Sequence, residues 1–155
     1  MQWEQSRGRK PMHVHVILKS KADDGVVTIA PGATIADVAQ LLAARRIGAV
    51  VVSSDGKRLL GILSERDIVR ELARRGPSCL AESVESLMTR RIVSCHREET
   101  ADQVLTKMTE GRFRHLPVME NDEMIGLISI GDVVKARLSE LSMEKDALEG
   151  MIKGY

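Results

Sequence analysis

Residues 61–72 read GILSERDIVREL, and residues 126–137 read GLISIGDVVKAR. Both place a glycine, two aliphatic residues and a serine ahead of an aspartate three positions later. The second copy lies 65 residues after the first. Working outward, the likeness continues. VVTIAPGATIADVAQLLAARRIGAVVV (26–52) aligns with IVSCHREETADQVLTKMTEGRFRHLPV (92–118) at an offset of 66. Val26 falls on Ile92, Thr28 on Ser94, Thr34 on Thr100, Val38 on Val104, Leu42 on Met108 and Val52 on Val118. The offset drops by one because the polar turn SSDGKR is one residue longer than its counterpart. A shared register over two blocks of about 50 residues is an internal repeat.

Each block has one order of elements. A short β-rich piece (VVTI; IVSC) leads to a turn (APGA; HREE). A helix follows, with apolar residues Ile35, Val38, Ala39 and Leu42 in one copy and Ala101, Val104, Leu105 and Met108 in the other. Thr34 with Asp37, and Thr100 with Gln103, form capping boxes at its start. Then come an apolar strand (AVVV; LPVM), a polar turn and a second strand (LLGIL; MIGLI). A second helix opens at the serine. The unit is β-α-β-β-α, too small to bury both faces of its sheet alone, and two units together make a normal core. The predicted class is mixed α/β.

The predicted divisions are a loose tail over 1–13, the first repeat with its lead-in over 14–76, and a linker with a short helix over 77–91. The second repeat spans 92–138 and a helical extension 139–155. The lead-in HVHVILKSKADDG resembles the linker's amphipathic SVESLMT. His13 and His15 read as one face of a polar edge strand. In the extension, Leu138, Leu141, Leu148, Met151 and Ile152 form an apolar stripe. It serves packing on its own domain or on a second subunit.

Composition narrows the function. The 155 residues carry a net charge of +1 and only 2% aromatic residues (Trp3, Phe113, Tyr155). There is neither the field nor the stacking surface for nucleic acid, and no field for an anionic membrane. No apolar run approaches membrane-spanning length. The polar N-terminus lacks the apolar core of a secretory signal. Cys79 and Cys95 form no C-x-x-C, which points to small core or surface residues in a reducing cytoplasm. His13, His15, His96 and His115 show no metal spacing, and no nucleophile elbow or Walker loop is present, so no catalytic cofactor is expected.

The Ser-x-x-Asp pair has two readings. It caps the helix, with the serine accepting a backbone N–H and the carboxylate offsetting the positive helix end. It also sits where a strand runs directly into a helix N-terminus, which favours an anion. A hydroxyl there can bind phosphate, and an aspartate one turn in can accept from two ribose hydroxyls. The two roles are compatible.

The repeat, with Gly-h-h-Ser-x-x-Asp at Gly61/Ser64/Asp67 and Gly126/Ser129/Asp132 and RHLPV at 114–118, resembles the CBS domain. Two in tandem resemble a Bateman module over about residues 14–138. The resemblance implies repeats packed through their sheets about a pseudo-twofold axis. It implies clefts between them for AMP, ADP, ATP, NAD(H) or S-adenosylmethionine. Asp67 and Asp132 would then take ribose, and Ser64 and Ser129 phosphate. Val27, Thr28 and Ile29, with Ile92, Val93, Ser94 and Pro117, would flank adenine. Basic residues ahead of the second strand, here Arg112, Arg114 and His115, would reach phosphate. The first repeat has Ile47, Gly48 and Ala49 opposite positions 113–115, and instead carries Arg66 inside its motif, where the second has Gly131. The two sites are therefore expected to differ. The overall expectation is a non-enzymatic adenine-nucleotide sensor, a homodimer acting through a protein effector or a change of assembly. The alternatives are an interaction module with weak or no ligand binding and a nucleotide hydrolase.

Overall fold

The computed structural model describes residues 11–21 and 26–152, so most of the expected tail lies outside the described residues. The element order is α1 (Val14–Ser20), β1 (Thr28–Ile29), α2 (Ile35–Arg45), β2 (Ala49–Val52), β3 (Gly61–Ser64) and α3 (Glu65–Arg75). Two 3₁₀ turns follow, Pro77–Ala81 and Val84–Ser86. Then come α4 (Ala101–Gly111), β4 (His115–Glu120), β5 (Glu123–Ser129) and α5 (Ile130–Ile152). The β-α-β-β-α order is complete in the first repeat, while the second lacks its leading strand; the fold is mixed α/β, and the helical extension simply continues the last helix of the second repeat.

The chain forms two compact units. One comprises, among the described residues, 26–94 and 119–126 and carries the first repeat. Its sheet has the order β1-β2-β3, with β1 parallel to β2 (Thr28 beside Val51) and β2 antiparallel to β3 (Ala49 beside Ser64). Every residue of β2 is buried. Val50, Val52 and Leu63 pack with Ile35, Val38, Leu42 and Ile68 from the helices and Val84 and Met88 from the linker. Gly61 is required by closeness: a Cβ there would lie 2.4 Å from the sulfur of Met88.

Among the described residues, the other unit comprises 11–21, 95–118 and 127–152. Although α1 precedes the first repeat in sequence, it packs in the core of the second. Val14 and Ile17 lie with Val104, Met108, Leu116, Ile128 and Val133. Val14 N–H donates to Glu99 O at 2.8 Å, and Ala101 N–H to Met12 O at 2.8 Å. His13 and His15 are therefore not on a strand. His13 precedes α1 and His15 lies within it, because the i, i+3 spacing of Val14 and Ile17 buries a helical face. The two rings stack with centroids 5.6 Å apart.

The expected strand at IVSC is reduced to one parallel bridge, Cys95 beside Val118. The first repeat explains why. There Val51 N–H donates to Val27 O at 3.2 Å. The residue aligned with Val51 is Pro117, which has no N–H to give. The reciprocal bond survives as Cys95 N–H to Pro117 O at 3.0 Å. Asn121 and Asp122, at φ 51° and 63°, form the two-residue turn between β4 and β5.

Candidate functional site

Each repeat builds the same junction. β3 ends at Ser64 and α3 starts at the next residue, and β5 ends at Ser129 where α5 starts. The first helical N–H of α3, on Glu65, donates to Gly48 O at 2.9 Å. The corresponding N–H of α5, on Ile130, donates to Arg114 O at 2.8 Å. Positions 48 and 114 align, so the residue entering the central strand is pinned beside the helix N-terminus in both copies. In the second repeat that residue carries a guanidinium.

The capping reading of Ser-x-x-Asp holds in both copies. Ser64 N–H donates to Asp67 Oδ2 at 2.9 Å, and Asp67 N–H to Ser64 Oγ at 3.3 Å. Ser129 N–H donates to Asp132 Oδ2 at 2.9 Å, and Asp132 N–H to Ser129 Oγ at 3.1 Å. Thr34/Asp37 and Thr100/Gln103 form the same reciprocal box, as their spacing predicts. The motif pair is therefore a cap with one turn of helix behind it, at a strand end, and its side chains are part-buried rather than sealed.

The two carboxylates differ in what else holds them. Asp67 Oδ2 also accepts from Ser64 Oγ at 2.8 Å, and its Oδ1 accepts from Arg70 at 2.6 Å. The Arg70 side chain is 71% exposed. Asp132 Oδ2 is held by Lys21, whose ammonium lies 2.9 Å from it and 2.8 Å from Leu127 O. Among the described residues, Asp132 Oδ1 has no protein partner. Burial pushes the Asp132 carboxyl up, but the Ser129 backbone N–H and Lys21 outweigh it and leave it below the ordinary carboxylate value. It is a fixed anion with one oxygen available to a hydroxyl donor.

Lys21 was not legible from the repeat, because the lead-in has no counterpart register against the motif. The signal lies in three dimensions: α1 belongs to the core that carries α5.

The remaining expected residues divide as follows. Val27, Thr28 and Ile29 lie in the unit that holds Ser64 and Asp67, half-buried, with Val27 O and Ile29 O accepting from Val51 and Ser53. Pro117 is buried in β4, in the unit of Ser129 and Asp132. Ile92, Val93 and Ser94 belong to the other unit. Arg66 and Arg114 are exposed and have no ion-pair partner among the described residues. His115 is half-buried at the start of β4. Arg112 is the left-handed C-cap of α4 (φ 59°), and the first repeat has Arg46 in the same place (φ 55°). An arginine here is common to both copies, so what distinguishes the second is Arg114 and His115. A groove of about 480 Å³ beside the first junction is lined by Leu42, Ile47, Gly48, Ile68 and Val69 among others, and includes neither Ser64 nor Asp67.

No helix among the described residues is long and apolar enough to cross a membrane. No group of three potential metal ligands occurs among them either. Cys79 and Cys95 are both buried and unpaired.

Comparison with known proteins places this geometry. A CBS-domain sequence profile matches residues 21–74 and again 84–139. A mitochondrial CBS domain-containing protein of Arabidopsis thaliana is 32% identical over 145 residues, covering 89% of this chain and 70% of its own. Against other, longer Arabidopsis CBS domain-containing proteins the chain spans only 23–26% of their length. The crystal structure of a CBS-domain-containing protein from Agrobacterium tumefaciens superposes with a TM-score of 0.77 at 47% identity, over 81% of this chain and 99% of that one. A CBS domain protein of Pyrobaculum aerophilum, solved in complex with AMP, superposes with a TM-score of 0.68 at 27% identity, over 78% and 89%. With two copies of the domain matched over most of its length, the chain belongs to the CBS-domain family as a tandem pair.

Proposed function

We propose that this chain is a regulatory module that binds an adenine nucleotide (AMP, ADP, ATP or NAD(H)) and is not an enzyme. One observation carries the reading. A strand runs into a helix N-terminus twice, each time with a serine at the cap and a fixed carboxylate one turn in. Backbone N–H groups and the hydroxyl suit phosphate, and the carboxylate suits ribose hydroxyls. In this reading Asp67 and Asp132 take ribose and Ser64 and Ser129 phosphate. Val27, Thr28, Ile29, Ile92, Val93, Ser94 and Pro117 flank adenine.

The sites are not equivalent. Arg114 and His115, with Arg112 behind them, supply the cations of the second, and Arg66 that of the first. The AMP complex of the Pyrobaculum protein supports the ligand class. Output runs through a change of assembly or a protein effector, with a homodimer as the working unit. The two buried free thiols suit the reducing cytoplasm. Neither nucleic acid nor membrane is a partner in this reading.

The test is titration of AMP, ATP and NADH against the wild type, Asp67→Ala and Asp132→Ala, with chromatography of each nucleotide after long incubation. Loss of one class of site in each variant, with nucleotide recovered intact, is expected. Full binding in both variants would remove the ribose assignment. A second reading is favoured by the complete self-satisfaction of the first motif, whose carboxylate oxygens are both engaged: the first repeat is a structural copy with an idle site. It predicts that Asp67→Ala leaves stoichiometry unchanged. If neither site binds, no nucleotide raises the melting temperature, although saturating a native site must.

A further inference from the structure

The segments ahead of the two repeats dock alike. Val14 N–H donates to Glu99 O and Ala101 N–H to Met12 O, each at 2.8 Å. In the other copy Val84 N–H donates to Ala33 O and Ile35 N–H to Glu82 O, each at 2.9 Å. These bonds set Val14 on Val84, an offset of 70 that carries Lys19 onto Thr89 and Lys21 onto Arg91. There the copies diverge. Thr89 exchanges backbone bonds with Ile62 of β3, Thr89 N–H to Ile62 O at 2.8 Å and Ile62 N–H to Thr89 O at 3.0 Å. Arg91, beyond that bridge, is exposed and makes no ion pair among the described residues. Lys19 instead lies inside α1. Leu127, the counterpart of Ile62, receives the Lys21 ammonium in place of a backbone partner, and the same ammonium reaches Asp132.

The lone pairs show what this changes. Each carboxylate oxygen has about two acceptor sites. Asp132 Oδ2 fills its sites with Ser129 N–H and Lys21, and Oδ1 keeps both of its own. Asp67 Oδ2 is filled by the N–H and Oγ of Ser64, but Oδ1 already accepts from Arg70. The residue aligned with Arg70 is Lys135, which is exposed and makes no ion pair among the described residues. The cation has moved from the motif's own helix to the lead-in, and from one oxygen to the other. We propose that Lys21 is the positioning and specificity-determining residue of the second site. By taking Oδ2 it leaves Oδ1 whole for two vicinal hydroxyls, so this site selects a ribose diol more sharply than the first. Burial works to protonate Asp132, and the Ser129 N–H and Lys21 outweigh it. Without Lys21, burial gains weight and the acceptor is lost at a higher pH. Arg114 ahead of β4 and Lys135 on α5 make no ion pair with Asp132 that would replace it.

The inference rests on the nucleotide reading above and adds to it. The experiment is calorimetric titration of the full chain carrying Asp67→Ala, which leaves the second site to be read, with AMP and with 2′-deoxy-AMP. AMP is expected to bind about 10-fold more tightly, the lower end of what a hydrogen bond to a charged group contributes. Adding Lys21→Met is expected to cut that preference to about threefold or less. It should also begin to lose AMP at a higher pH than its parent. The ratio of the two affinities at each pH cancels the titration of the AMP phosphate and of His115. Lys21→Arg keeps the charge and is expected to keep the preference. A Lys21 that only packs would, on replacement by methionine, weaken both nucleotides equally and leave the pH profile in place, and that result overturns the inference. So does a Lys21→Arg that loses as much as Lys21→Met. If the wild type binds AMP and the Asp67→Ala chain does not, the second site holds no nucleotide and the inference falls alone. If the wild type binds no nucleotide, the nucleotide reading falls with it.

Discussion

Replacing Lys21 with methionine isolates the contact that separates the two sites. Methionine keeps most of the aliphatic stem and removes the ammonium. Two bonds are lost, one to Asp132 Oδ2 at 2.9 Å and one to Leu127 O at 2.8 Å. Exposed ion pairs contribute about 0.2–1 kcal/mol and bonds to charged groups about 1.5–3 kcal/mol. The two side chains are 29% and 23% exposed, so the expected cost lies between those limits, about 1.5 kcal/mol. For a chain of this size that is a fall of about 3–6 °C in melting temperature. The sign of the pH dependence follows from the carboxyl. Asp132 sits below its ordinary value when folded. Its contribution is therefore complete above the unfolded carboxylate value and is lost as pH falls through the folded one. The deficit of Lys21→Met is expected to be full at about pH 7 and to shrink toward the share of the Leu127 bond, about 0.5 kcal/mol, at an acid pH below the folded Asp132 value. Urea denaturation at both pH values measures it, and Asp132→Asn in combination should be markedly non-additive with Lys21→Met at neutral pH. An equal deficit at both pH values, or none at neutral pH, would refute the reasoning.

Other expectations follow from the same geometry. Thr34→Ala, Thr100→Ala, Ser64→Ala and Ser129→Ala each remove a capping acceptor and should each cost about 1 kcal/mol by denaturation, while only the two serine variants weaken AMP binding by titration. Arg46→Gly and Arg112→Gly relieve a left-handed residue and should each stabilise by up to about 1 kcal/mol. If Arg112 reaches phosphate, its variant alone loses nucleotide affinity while gaining stability. The Cys95 thiol is pushed up to about 12, chiefly by burial. Cys95 should resist a thiol reagent at about pH 8, because the thiolate is the reactive form, and Cys79 should resist it because it is buried; both should react stoichiometrically once the chain is unfolded. Gly61→Val must displace the Met88 side chain and should cost about 1–3 kcal/mol by the same denaturation assay.

Much of the fold is written in periodicity. The helix starting at Thr34 and its copy at Thr100 show their apolar faces and their caps in sequence, and both form as spaced. The two central strands are runs of buried aliphatic residues, for which there is no competing reading at that length. The strand expected at residues 92–95 failed because its outcome depends on one missing N–H in another strand, on Pro117, which no local pattern reports. His13 and His15 misled because alternation over four residues fits a strand, whereas Val14 and Ile17 bury a helical face. The serine–aspartate pairs were legible as caps and as candidate ligand groups. Their inequivalence was only half legible: Arg66 against Arg114 shows in the alignment, but Lys21 reaches Asp132 through tertiary packing of a segment 111 residues away in the chain. Arg112 looked distinctive until the left-handed cap it shares with Arg46 gave it a structural explanation.

The placement of α1 has a consequence for how this pair can be divided. In sequence the second repeat is a self-contained block that a cut near residue 77 would release whole. In the fold, that cut would strip Val14 and Ile17 from beside Val104 and Met108 and leave the Asp132 carboxylate without its ammonium. The repeats read as equal words, but the second is finished by a phrase spoken before the first. A fragment carrying the second repeat alone would therefore need residues 11–21 added back to complete its core and its ion pair.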